Sequence, residues 1–267
     1  MSRTIIGVLD VVFVLGIIAG VLPVRVSAYA GGDGTELTPY QIASCADFME
    51  IPTATTDNFV LTQSLDCSAD GNNIMRDEFR GNFDGDEFTI QIELESTGSS
   101  TGLFKWVSQG TIQNLGVTGS VASTASDTGM LAGQFYDSTA LNIEVSGTVL
   151  STAERTGGVF GSAGCSSEIE NIVADVQVTG TEEVGGITGL DACEGPGGNY
   201  DTVSVDGDVT GQYDVGGLIG EANYTDITVA NSSAVIEGLD RVGGLLGAYS
   251  GTAFQKIFHS SATGSVT

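Results

Sequence analysis

Basic side chains are scarce in this chain. Lys and Arg number 8 in 267 residues against 34 Asp and Glu, a net charge of −26. Such a surface repels phosphate backbones and anionic lipid headgroups, which excludes nucleic acid as a partner. The same shortage leaves no Lys or Arg beside the acidic clusters to clamp a uronate, so acidic polysaccharide is a poor substrate. His259 is the single histidine and no Cys-x-x-Cys pair occurs, which argues against a zinc centre. There is no phosphate-binding loop. Long apolar runs are lacking except at the N-terminus, where Arg3 precedes Ile5–Val24 and small residues follow at Ala28 and Ala30.

That N-terminal pattern reads as a secretory signal over residues 1–30, cleaved after Ala28 or Ala30. Asp10 interrupts the apolar run, and the run is long enough for the competing reading of an uncleaved membrane anchor. Both readings export the rest of the chain, so a secreted or cell-surface location is expected. Without residues 1–30, 6 basic side chains face 33 acidic ones, a net of −27. High salt would screen the resulting self-repulsion.

What the chain has in abundance is glycine, 39 in all, and it recurs on a period. A Gly-centred hexapeptide appears at Thr101–Trp106, Thr128–Gly133, Thr156–Gly161, Val184–Gly189, Val215–Gly220 and Val242–Gly247. Successive starts differ by 27, 28, 28, 31 and 27 residues. Self-similarity at that period predicts a solenoid, each repeat being one coil that cannot bury its apolar face alone. The second position is always Gly and the fourth always apolar: Phe104, Leu131, Val159, Ile187, Leu218 and Leu245. A spacing of two puts both on one strand face, with the fourth position inward. The fifth position (Lys105, Ala132, Phe160, Thr188, Ile219, Leu246) is mixed and predicts an outer or partly covered face. The glycines are expected where backbone approaches backbone.

A second, longer strand follows in each repeat, beginning with Ile112–Val121. One slot within it is assigned to Asn114, Asn142, Asn171, Thr202, Asn231 and His259. Stacked coils repeat every ~4.8 Å, close enough for Asn side chains to hydrogen-bond as a ladder. The expected ladder is Asn114, Asn142, Asn171 and Asn231.

The pattern vGGLvG followed by I-x-N-(S/L)-x-(V/A)-x-G-x-V resembles the GLUG-motif repeats of secreted and cell-surface proteins. The lead-in Phe79-Arg-Gly-Asn-Phe-Asp-Gly-Asp-Glu-Phe-Thr-Ile90 is similar to the hairpin that precedes those repeats. The resemblance spans roughly Thr38 to Thr267 and is strongest from Val184 on. Leu103 and Met130 depart from it where the family prefers a second Gly. It implies a parallel β-solenoid with a surface or adhesive role, and no catalytic residues.

The expected fold is therefore all-β: a single-stranded parallel β-helix of about six coils over residues 101–267. Residues 31–100 are expected to form an N-terminal cap, with a helix over Pro39–Met49 capped by Thr38 and a hairpin turning at Asp84-Gly85. Four cysteines in an exported chain suggest two disulfides. Cys165 lies nine residues after Thr156 and Cys193 nine after Val184, the same slot in neighbouring coils, so they pair. Cys45 and Cys67 are left to pair with each other. The residues before the hexapeptides (Asp127, Arg155, Glu183, Asp214, Arg241) would stack as a column of alternating sign.

Candidate chemistry is sparse. Asp66, Ser68, Asp70 and Asn72 match the opening of a Ca²⁺ loop, but the twelfth position is Asp77 rather than Glu. No other cofactor is expected. Asp201, Asp206, Asp208 and Asp226 are the carboxylates a β-helix lyase or hydrolase could use. Of two sequons, Asn223 is the expected glycan acceptor because Asn231 is assigned to the ladder. The expected function is a non-catalytic adhesion or structural module. Its partner would be a surface glycan or protein, and the open C-terminal coil would allow self-association. The alternatives are a carbohydrate-active enzyme and a Ca²⁺-dependent or ice-binding module.

Overall fold

A computed structural model describes residues 29–193, 197–251 and 256–267. The signal or anchor segment lies outside the described residues except for its last two positions. Every strand ladder among the described residues is parallel, so each turn of chain stacks on the one before. The long sheet contains Thr111–Ser123, Thr139–Ser151, Glu168–Thr179, Asn199–Thr210 and Asp226–Ser232 as successive neighbours. A second sheet has four short strands, from Thr156–Gly157 to Asp240–Gly243. A third has seven, from Arg76–Phe79 to Leu246–Tyr249. The protein is thus a parallel β-solenoid of about seven turns, one more than the hexapeptides mark.

Residues 31–100 are not a separate cap. Tyr40–Ile42 pairs in parallel with Asn58–Leu61, which pairs with Asn82–Asp84, and that strand joins the long sheet at Thr111. No hairpin forms at Asp84-Gly85. Asn82–Asp84 and Thr89–Ser96 both pair in parallel with Thr111–Ser123, as one interrupted strand. The interruption sits over the next coil: a Cβ on Gly85 would lie 2.3 Å from the Asn114 carbonyl oxygen. The helix is also shorter than expected, Cys45–Met49, because Tyr40–Ile42 is drawn into the sheet. Its N-cap is Ser44, whose Oγ accepts from the Asp47 backbone N–H at 3.1 Å.

The fourth-position column is inward, as its spacing predicts: Leu131, Val159, Ile187 and Leu218 are fully buried. The fifth-position column is buried too, at Ala132, Phe160, Thr188 and Ile219, which corrects the outer-face expectation. The reason is a corner. The second sheet ends at Gly185 and the third begins at Thr188, so the chain turns within the hexapeptide and strict alternation fails there. The register also shows that Phe104 stacks on Ala132, not on Leu131. The first hexapeptide is one residue short, and Leu103 serves as its fourth position.

A second corner interrupts the long strands. Asn114, Asn142, Asn171, Thr202, Val229 and His259 all adopt left-handed backbone, with φ between 47° and 55°. Inward residues there are three apart rather than two, as in Ile112 and Leu115 or Ile169 and Ile172. Asn suits this conformation better than most residues. The Asn142 amide donates to Asn114 Oδ1 at 2.8 Å and that of Asn171 to Asn142 Oδ1 at 2.7 Å. Asn114 in turn donates to Asp84 at 3.0 Å. The ladder is thus Asp84–Asn114–Asn142–Asn171. Asn231 is not in it: it pairs in register with Ser204, and Val229 holds the slot.

Thr202 breaks the ladder and, being β-branched, is strained at positive φ. Thr202→Asn should therefore stabilise the solenoid by about 1 kcal/mol, read as a higher melting temperature. A lower one would show that the corner tolerates Thr for another reason.

Disulfides join Cys45 to Cys67 and Cys165 to Cys193, with Cα–Cα distances of 5.7 and 5.1 Å. The second ties equivalent points of adjacent coils. Toward the C-terminal end burial declines: Ile257 and Val266 are about half exposed, while their upstream equivalents Ile227 and Ile236 are buried.

Candidate functional site

Two columns of side chains face each other along the length of the solenoid. One is carried by the turn before the second sheet: Ser100, Asp127, Arg155, Glu183, Asp214 and Arg241, each one residue before a stacked pair of that sheet. The other is the outward row of the third sheet: Glu78, Trp106, Gln134, Ser162, Leu190 and Glu221.

The charge column does not alternate in pairing as its sequence does. Arg155 Nε bonds Asp127 Oδ1 at 2.7 Å, and Arg241 bonds Asp214. Both arginines reach back one coil, so among the described residues no ion pair reaches Glu183. Asp127 is 5% exposed and is satisfied further by Gln134 Nε2 at 2.8 Å and by Ser162 Oγ. Glu183 Oε2 is buried without a partner. Burial, reinforced by the nearby Glu221 carboxylate, pushes its pKa up to about 7.

The sign of the consequence is fixed. A carboxyl whose folded pKa exceeds its unfolded value near 4.5 binds a proton more readily when folded. Its stabilising effect is complete below about pH 4.5 and is lost as pH rises through 7. Glu183→Gln should flatten that part of the pH–stability curve and raise the melting temperature at pH 8. Parallel curves for both proteins from pH 4 to 8 would refute it. Asp191, fully buried, is pushed up to about 6 by the same cause, against donation from the Gly198 N–H at 3.1 Å.

At its N-terminal end the seam opens into a groove of about 680 Å³. The facing wall there is Gly98, Ser99, Ser100, Ala125 and Ser126, too small to cover Trp106, which is 43% exposed. Lys105 Nζ bonds Asp77 at 2.6 Å on the groove's edge, and Arg155 closes its far side. Sequence reading missed this groove. Strand alternation would place Trp106 on the inward face with Phe104, two residues before it, so its exposure carried no periodic signal.

The residues singled out from sequence are not gathered in one place. Asp66 accepts from Ser68 Oγ at 2.7 Å and from its N–H at 3.2 Å, a local turn. Asn72 pairs with the Glu95 backbone, accepting from its N–H at 3.0 Å. Ser68–Ile74 is a short 3₁₀ helix beside the Cys45–Cys67 disulfide, not a loop wrapped around a centre. Asp70 lies near both sulfurs, but a disulfide offers no thiolate to a metal. Asp201, Asp206, Asp208 and Asp226 spread along the outer edge and face of the long sheet. Asp206 stacks directly on Asp175 and accepts from Ser233 Oγ at 3.1 Å. The sequon preference reverses. Asn231 is exposed, whereas Asn223 is half-buried with its Oδ1 enclosed and its Thr225 buried.

No family model matches the chain. Over 123 residues the sequence is 34% identical to halomucin from Haloquadratum walsbyi, which covers 41% of this chain and 1% of that protein's length. The fold is similar to a crystal structure of a candidate immunoglobulin A1 protease from Bacteroides ovatus. The TM-score is 0.66 at 19% identity, over 90% of this chain and 85% of the other. At that identity the likeness establishes the β-solenoid architecture alone.

Proposed function

We propose that this chain is an exported, non-catalytic module that gives an extracellular surface a stiff, adhesive β-solenoid. The observation that carries this is the outer face of the long sheet. Its strands stack in uninterrupted register, and Glu144, Asp175, Gln177, Asp206 and Asp208 all turn to solvent. Carboxylates spread along a flat face suit hydration and multivalent contact. Two disulfides within the stack suit an oxidising compartment. The partial identity to halomucin supports a surface setting, and the resemblance of the repeats to GLUG motifs supports adhesion.

The test is retention of the full chain on a glycan array, with and without Ca²⁺, together with an assay for reducing ends released from the bound glycans. Retention without release is expected. Release of reducing ends would make it a carbohydrate-active enzyme, and retention lost on chelation would assign the Ca²⁺-dependent alternative.

A further inference from the structure

The groove beside Trp106 has the composition of a binding site rather than of a seam. Elsewhere along the solenoid, the turn column places a charged side chain opposite the third sheet. Opposite Trp106 it places Ser100, and the neighbouring turn residues are Gly98 and Ser99. An aromatic ring is thus left as an uncovered platform, 43% exposed, on a chain that has one Trp. Around it stand polar groups fixed by partners of their own. Gln134 is held by Asp127, Asp127 by Arg155, and Lys105 by Asp77. Fixed polar groups around an aromatic face are what a small-ligand site needs.

The charges choose the ligand class. Each cation at the groove is already paired with a carboxylate at 2.6–2.7 Å, so none is free to meet a ligand's carboxylate, sulfate or phosphate. What remains on offer is an apolar ring face, carboxylate oxygens that accept, and an amide that both accepts and donates. A neutral pyranose matches this set. Its axial C–H face lies on an indole, and its hydroxyls donate to carboxylates and exchange bonds with an amide. We infer that the Trp106 groove binds a neutral hexopyranose unit of an oligosaccharide, with Gln134 and the exposed Asp77 carboxylate, whose Oδ1 alone is paired with Lys105, bonding its hydroxyls. This rests on the adhesive reading above and assigns it a contact point.

Because Trp106 is the single Trp, indole fluorescence reports on this groove alone. The full chain is titrated with cellohexaose, maltohexaose, laminarihexaose and mannohexaose, with a galacturonate oligomer as the anionic arm and an uncharged Ser/Gly/Gln peptide as the protein-like arm. At least one neutral sugar should give a saturable emission shift. Calorimetry with that sugar should show binding abolished in Trp106→Ala and weakened roughly tenfold in Gln134→Ala, the loss of one bidentate polar contact. Both variants should keep the wild-type circular dichroism spectrum.

Silent emission with all four neutral sugars overturns the inference, as does tighter binding of the galacturonate oligomer or of the peptide. Array retention undiminished in Trp106→Ala overturns the groove and leaves adhesion standing by another face. Release of reducing ends overturns the non-catalytic reading and leaves the groove standing.

Discussion

Leu218→Asp is expected to lower the melting temperature by roughly 10 °C, the equivalent of several kcal/mol in a chain of this length. Leu218 is fully buried at the corner between the second and third sheets. Its carbonyl accepts from the Ile187 N–H at 2.9 Å, and its own N–H donates to the Leu245 carbonyl at 2.9 Å, so coils on both sides depend on its position. A carboxylate there loses its hydration with no cation near enough to replace it. Thr148→Asp is the matched control. Thr148 lies on the outer face of the long sheet, stacked between Ser120 and Gln177, and should change stability by less than about 0.5 kcal/mol. Hydrogen exchange locates the effect. In a one-dimensional stack the loss should concentrate from Val215 onward and leave Thr111–Ser151 protected. Equal melting temperatures for the two variants would mean that the inward column has been misplaced.

The solenoid was legible because stacking repeats the same local constraint in every coil. Six hexapeptides at nearly constant spacing each state where the chain must turn and where it must be apolar. The cysteine slots followed from the same alignment, since equivalent residues of adjacent coils meet. What was less legible is what changes from coil to coil. A one-residue deletion in the first hexapeptide shifts Phe104 against Leu131, and only backbone register reveals it. Likewise, Asn231 fits an N-containing consensus but sits two residues beyond the left-handed corner that Val229 occupies. The residues before Thr101 lack the hexapeptide and therefore read as a cap, although Phe59, Phe79, Phe83 and Phe104 carry the same core onward with ring centroids 5.0–6.0 Å apart. The groove was hidden for a related reason. It is made by a departure from the repeat, small residues facing Trp106 where later coils have charges, and no periodic signal marks a departure.

Gly157→Ala should destabilise the solenoid by about 3 kcal/mol, the upper range for forcing one extra methyl into packed structure. The argument is steric. A Cβ built on Gly157 lies 1.9 Å from the Phe160 carbonyl oxygen, 2.6 Å from that of Ile187 and 2.8 Å from the Gly189 nitrogen. All three are backbone atoms, two of them in the next coil, so no side-chain rotation can make room. To admit the methyl the corner must open. Opening it weakens the Phe160 N–H bond to the Ile187 carbonyl, 2.8 Å long, which joins the two coils. Gly98→Ala makes the contrast: its Cβ would meet only Ser96 Oγ at 3.5 Å. With ordinary contact and negative φ, that change should be neutral or stabilising by a few tenths of a kcal/mol through the unfolded chain. Urea denaturation of the two variants measures the difference. Should Gly157→Ala unfold at the wild-type midpoint, the hexapeptide glycines would not be there for close approach of backbone, and the corner would have to be held open by something other than the coils themselves.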